Sequence, residues 1–260
     1  VTAAVIDEAS TAPAGPGESP LTRRAWRWQL PMIALALAIG QLVWVQYASL
    51  DSVESRALAQ SEVLANLWEH IWLVLVSTIV VLVIGIPLGI WLSRPSAKLL
   101  RGPVLLVANA GQAVPSIGIL VLLALIWGVG FNMAVIALVI YALLPILRNT
   151  IVGLQQVDPF IVDAARGMGM SKGEILRKVE LPLAVPVILA GARVSLILNV
   201  GVATLATYTN AGGLGDLIER GIVLNRMPIL ITGCVLTIAL ALLVDWLAGI
   251  AEQVLRPRGL

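Results

Sequence analysis

Residues 71–93 of this chain carry no charged side chain, and comparable apolar runs return through most of its length. A bilayer core of about 30 Å is crossed by roughly 20 apolar helical residues, and inside it every backbone polar group must find an internal partner. Repeated runs of that length therefore restrict the chain to a bundle of membrane-spanning helices. Hydrophobic residues make up 59% of the sequence and charged ones 12%, against about 45–50% and about 25% in an ordinary soluble domain.

Six spans are predicted, at 30–48, 71–93, 103–127, 132–153, 183–207 and 228–251, and the last two each carry an internal charge, Arg193 and Asp245. SEVLANLWEH, before the second, reads as the exposed first turns of the same helix. The organisation expected is a disordered, then basic, tail over 1–29, a first helix and outer loop over 30–61, a main membrane domain over 62–255 and a short tail at 256–260. Acidic residues and a long polar stretch come first in the tail, so it does not read as a cleaved signal. Arg23, Arg24, Arg27 and the tryptophans beside them read as an interfacial anchor.

Placing both termini on the cytoplasmic side gives thirteen basic loop residues inside, Arg148 among them, against Arg56, Arg220 and Arg226 outside. That is the positive-inside bias. The net charge of +2 is dispersed and suggests no nucleic-acid surface. Cys234 is the single cysteine and His70 the single histidine, so no intrachain disulfide and no zinc ligand set are expected, nor any other metal site. Prolines 87, 115, 145 and 186 inside spans predict kinks, and runs such as IGIPLG predict close helix packing.

Against this background DAARGMGMSKGEILRKVELP, residues 163–182, is polar and helix-patterned. Asp158 followed by Pro159 signals a helix start, Gly169 a left-handed stop, and Ser171 with Glu174 a capping box. The expectation is helix, glycine turn, a second helix ending at Leu181-Pro182, then the fifth span. By physics alone this loop could equally lie on the membrane surface against lipid phosphates.

The spacing of Asp163, Ala164, Ala165, Gly169, Val179, Leu181 and Pro182 resembles the signature loop of ABC importer permeases, with Asp where that family usually has Glu. PSIGILVLL, YALLPILRNT, KVELPLAVPVILAGAR and AGGLGDLI extend the resemblance over about residues 60–255, toward the permeases of osmoprotectant importers for glycine betaine, choline, carnitine and related quaternary amines. Methionine importers share the loop and a GGLGDL-like element. The resemblance implies the type I importer permease fold, an all-α membrane protein of six transmembrane helices with a cytoplasmic coupling helix, in a bacterial cell membrane. Its docking residues would be Asp163, Ala164, Ala165, Gly167, Met168, Gly169, Met170, Leu181 and Pro182.

The implied partners are two ABC ATPase subunits, a second permease copy or paralogue, and a soluble or lipid-anchored substrate-binding protein. The sequence has no GxxxxGK[ST] phosphate loop, so ATP and Mg are expected on the ATPase and no cofactor on this chain. For the solute pathway or gate the residues singled out are Gln112, Ser116, Trp127, Asn199, Tyr208, Asn210, Gly212 and Gly213. Tyr208 offers an aromatic face to a quaternary ammonium, or serves as an interfacial anchor; AGGLG reads as a gate or as a plain re-entrant turn. Arg193 and Asp245 are expected to pair, because an unpaired ion in hydrocarbon costs several kcal/mol. An intramembrane enzyme would need a nucleophile with its base or a metal set, and a secondary transporter would more often show inverted repeats; the sequence offers neither.

Overall fold

The computed structural model describes residues 20–255, with side chains from Trp28 onward. Residues 1–19 of the expected tail, and the tail at 256–260, lie outside the described residues, whereas 20–29, expected as the basic end of the tail, already belong to the first helix. Every element among the described residues is helical. The long helices are α1 (Pro20–Tyr47), α3 (Gln60–Ser93), α6 (Phe131–Gln155), α9 (Leu181–Ala203) and α11 (Met227–Leu255); between them stand α2 (Ser52–Ala57), α4 (Lys98–Ala113), α5 (Ser116–Trp127), α7 (Pro159–Gly167), α8 (Lys172–Ile175) and α10 (Leu214–Val223).

Five spans meet the length and hydropathy needed to cross a bilayer, and α4 with α5 supplies a sixth only as a bent pair. This corrects the uninterrupted span expected over 103–127: the two helices meet at 98°. Pro115 has no N–H, and proline disfavours helical geometry in the residue before it. Val114 is accordingly extended, with ψ 134°. The second span begins at Gln60, so SEVLANLWEH does belong to it.

α6 is the axis of the bundle, packed against α3 on one side and α9 on the other, while α1 lies outermost against α11. Gly85 and Gly89 of α3, one turn apart, let α3 and α6 approach closely: a methyl group on Gly89 would stand 2.6 Å from Cβ of Thr150. Small residues at this spacing are the usual means of close packing in lipid, where burial of apolar surface supplies no drive. α1 is held by a hydrogen bond from Gln41 Nε2 to Thr232 Oγ1 (2.8 Å) and by Trp28 tilted against Trp246.

The second helix of the 163–182 stretch does not stop at Pro182. After α8 the backbone widens into a π turn over Leu176–Glu180, in which the Leu181 N–H bonds the Leu176 carbonyl, and continues into α9. Pro182 in an ordinary α-helix would collide with the carbonyl four residues earlier; the wider turn relieves that collision. α10 was not anticipated by the run-length reading, which looked for spans and found a short amphipathic helix invisible. A further correction concerns Arg148, assigned to a loop in the charge count: it lies within α6.

Candidate functional site

The 156–182 segment is built from local signals. Asp158 accepts from the Phe160 N–H (2.9 Å) to start α7. Gly169 takes φ +84° after it, a conformation that costs other residues about 1–2 kcal/mol. Ser171 and Glu174 then close a reciprocal capping box. Those bonds, with Lys178 at 3.1 Å, leave the polar groups of the turn satisfied.

Ala165 and Ile175 are buried and root the loop, whereas Phe160, Ile161 and Met168 point outward, Phe160 with 84% of its surface exposed. Ala164, Gly167 and Gly169 are also exposed, Met170 is half-buried, and Asp163 pairs with Arg166 at 2.8 Å. Leu181 and Pro182, half-buried, sit at the base where the π turn joins α9. Glu180 in that turn holds Arg94, at the end of α3, at 2.7 Å. Arg101 in turn donates to the Leu92 and Ser93 carbonyls, so the end of α3, the start of α4 and the base of the loop are bound together. Between them lies an open cleft of about 920 Å³ edged by Trp91, Val162 and Ile175. The result is a small knob with exposed apolar side chains on a firmly tied base.

On the opposite face, the 3₁₀ turn Thr204–Thr209 carries Tyr208, 45% exposed, and packs against α5, whose last residue Trp127 is 64% exposed. The Gly130 N–H donates to the Thr209 carbonyl (2.7 Å) and fixes the two segments together. Asn210 follows in the left-handed region at φ +54°, then Gly212 and Gly213 at +75° and +100°. The loop they form is held from α3: Glu69 Oε2 accepts from the Gly213 N–H (3.1 Å). A side chain at Gly213 would press on the fully buried ring of His70, 3.1 Å away. Thr207 meets Asp216 and Glu219 of α10. Sequence reasoning missed Glu69, Thr207, Asp216 and Glu219; the acidic pattern of DLIER was the available signal.

The remaining pathway candidates separate. Gln112 and Ser116 flank the α4–α5 elbow and are half-buried, with Gln112 Nε2 donating to the Tyr141 carbonyl at 2.8 Å. Asn199 is fully enclosed and donates to Thr78 Oγ1 (3.1 Å), joining α9 to α3. Arg193 meets Asp245 through two hydrogen bonds, of 2.5 Å and 2.8 Å, with Glu252 at 3.7 Å. These contacts tie α9 to α11. Among the described residues no group of three or more His, Cys, Asp or Glu is placed to hold a metal.

Three comparisons place this geometry. The profile of the family described as binding-protein-dependent transport system inner membrane component matches residues 85–257. The carnitine transport permease protein OpuCD of Listeria monocytogenes serotype 1/2a (strain 10403S) is 40% identical over 198 residues, 76% of this chain and 88% of its own length. The osmoprotectant import permease protein OsmY of Salmonella typhimurium is 40% identical over 83% of this chain and 89% of its own, and the choline transport system permease protein OpuBB of Bacillus subtilis is 40% identical over 76% and 91%. Among solved structures, the inward-facing MetNI methionine ABC transporter has a chain that superposes with a TM-score of 0.67 at 28% identity, covering 75% of this chain and 96% of that one. With a helical membrane bundle and matches over most of its length, the chain belongs to the binding-protein-dependent transport system inner membrane component family, as a permease subunit of an ABC importer.

Proposed function

We propose that this permease imports quaternary-amine osmoprotectants of the glycine betaine, carnitine and choline class. The observation that carries the reading is the agreement among relatives from three bacteria, each 40% identical over three quarters of this chain or more and each named for transport of an osmoprotectant, carnitine or choline. The methionine transporter chain is less similar, at 28% identity.

As a family member the chain is a transport subunit that works with a separate ATPase and a substrate-binding protein. The finer arrangement we infer has two ATPase subunits carrying ATP and Mg, a second permease copy or paralogue, and both termini in the cytoplasm. In that orientation the 156–171 loop is the coupling helix. Phe160 and Met168 enter a groove of the ATPase, Ala164 permits close approach, and Asp163 finds a basic partner. The tie from Glu180 to Arg94 and the continuous path into α9 suit the loop to passing ATPase motion into the spans, shifting the bundle between inward-facing and outward-facing states. Tyr208, Trp127, Asn210, Gly212 and Gly213 then lie at the outer mouth, where the binding protein delivers solute.

The test is co-expression with a partner ATPase and binding protein, reconstitution in liposomes, and uptake of labelled glycine betaine, carnitine and choline. Binding-protein-dependent, ATP-driven uptake of at least one is expected. A complex that moves methionine and none of these three would refute the substrate class.

A further inference from the structure

Arg148 lies seven residues before the end of α6, about 10 Å inside the helix terminus at 1.5 Å per residue. Its guanidinium is exposed, and its one polar contact is Nη2 to Asn109 Oδ1 at 3.3 Å, a neutral amide on α4. The other arginine deep in a span, Arg193, has two carboxylates around it. A lone ion facing hydrocarbon is costly, and such groups line water or meet a counter-charge. Among the described residues no carboxylate meets Arg148.

The seam it stands on has two unlike flanks. On one, Val104, Val107 and Ala108 of α4 oppose Ile140, Leu143 and Leu147 of α6 around an apolar cleft of about 360 Å³. On the other, Asn109 and Gln112 of α4, three residues apart, oppose Arg148 and the Tyr141 carbonyl of α6. Residues at those spacings share a helix face. The polar flank runs from Arg148 to Gln112, and α4 buries none of its residues within the chain. Among the described residues this polar flank ends in a guanidinium with no carboxylate partner.

We propose that this polar flank lines the solute's route and that Arg148 is a specificity-determining residue of it, receiving the carboxylate of the transported solute near the inner mouth. The inference rests on the substrate class proposed above and divides it. A guanidinium binds a carboxylate through two parallel hydrogen bonds and repels the trimethylammonium end. Zwitterionic quaternary amines are thus oriented carboxylate-inward, and a cation without a carboxylate, such as choline, gains nothing from Arg148. A lipid phosphate offers related oxyanion chemistry, so the experiment separates the two.

The complete complex of permease, ATPase and binding protein is reconstituted with labelled glycine betaine and with choline as probes, in vesicles with and without phosphatidylglycerol. Arg148→Gln is expected to lower glycine betaine uptake about tenfold or more, with choline uptake unchanged and binding-protein-stimulated ATP hydrolysis within about twofold of wild type. Arg148→Lys keeps the charge but loses the planar fork, and is expected to fall between the two; it carries the comparison if Arg148→Gln does not assemble. Wild-type glycine betaine uptake in Arg148→Gln, or equal losses for both probes in Arg148→Lys, would overturn the inference and leave the substrate class standing. Wild-type uptake that collapses without phosphatidylglycerol, with Arg148→Gln indifferent to that lipid, would assign Arg148 to lipid phosphate and overturn it too. A wild-type complex that carries no carboxylate-bearing quaternary amine would overturn both readings together.

Discussion

Removing the carboxylate of Asp245 tests how α9 and α11 are held together. In the intact protein Arg193 makes two hydrogen bonds to Asp245, and Glu252 waits at 3.7 Å. Breaking one side of a fully buried pair costs about 3–5 kcal/mol, mostly because a charge is left without a partner. Here the side chains are 34% and 20% exposed, and Glu252 can swing closer, so the cost for Asp245→Ala is reduced to about 1–3 kcal/mol. At about 2–4 °C per kcal/mol for a chain of this size, the melting temperature in detergent should fall by about 2–12 °C. Glu252→Gln should cost less than Asp245→Ala. The double change Arg193→Met with Asp245→Leu removes both charges at similar volume and should recover most of the loss, since well-packed apolar replacements of buried pairs are often neutral. A double variant as unstable as Asp245→Ala, or an Asp245→Ala protein melting with wild type, would refute the reasoning that an orphaned guanidinium is the penalty.

Other expectations follow from the same geometry. Gly169→Ala places a Cβ on a residue at φ +84° with no neighbour within 4 Å, so its cost is backbone strain of about 1–2 kcal/mol; ATPase binding in detergent should weaken about 5- to 30-fold, and Gly169→Asn, which tolerates that region better, should lose less. Equal affinity for the alanine variant would exclude the loop conformation described. Gly89→Ala should destabilise the bundle by about 1–3 kcal/mol through overpacking on Thr150, read as a lower melting temperature, and a neutral result would mean that α3 and α6 separate easily. Asp51, whose carboxyl is held below its ordinary value of 3.8 mainly by the Glu54 backbone N–H, against burial and with help from the Val53 N–H and Arg226, caps α2 and clamps Arg226 at 2.6 Å. A lowered folded-state pKa gives stability that is present above the unfolded value and lost as pH falls through the folded one. Protection of the α2 amides from hydrogen exchange, taken against the intrinsic rate at each pH, should therefore fall below about pH 4, and Asp51→Ala, which removes the cap acceptor, should show the low protection already at neutral pH.

The features legible in the sequence are those decided within a few residues or by run length. Asp158, Gly169, Ser171 and Glu174 each act on backbone groups no more than three positions away, so their pattern is enough to draw the 156–175 loop. Span number follows from the thickness of lipid. Direction is another matter: Pro115 announces a bend, but the 98° between α4 and α5 depends on what α5 packs against, which is α6 and the turn after α9, the latter some eighty residues on. Asn199 read as a pathway group because it is polar in an apolar run, yet its partner Thr78 belongs to a distant helix. Arg148 was hidden differently. Counting charges by loop set it outside the bundle, although the expected span 132–153 already enclosed it, and α6, which runs on to Gln155, puts it seven residues inside.

The π turn at Leu176–Glu180 sets the angular phase of the docking knob. A π turn accommodates one residue more than the α-helical repeat, and each residue of an α-helix advances the chain by about 100°. α8 is therefore rotated by about that angle from where an uninterrupted α9 would have put it, and Glu180 faces Arg94 as a result. Deleting one residue between Leu176 and Glu180 would let the segment close into plain α-helix and swing Phe160 and Met168 around the axis of α9 as a hand is swung by a turned wrist. The exposed face of the knob is aimed, in this chain, by a single extra residue.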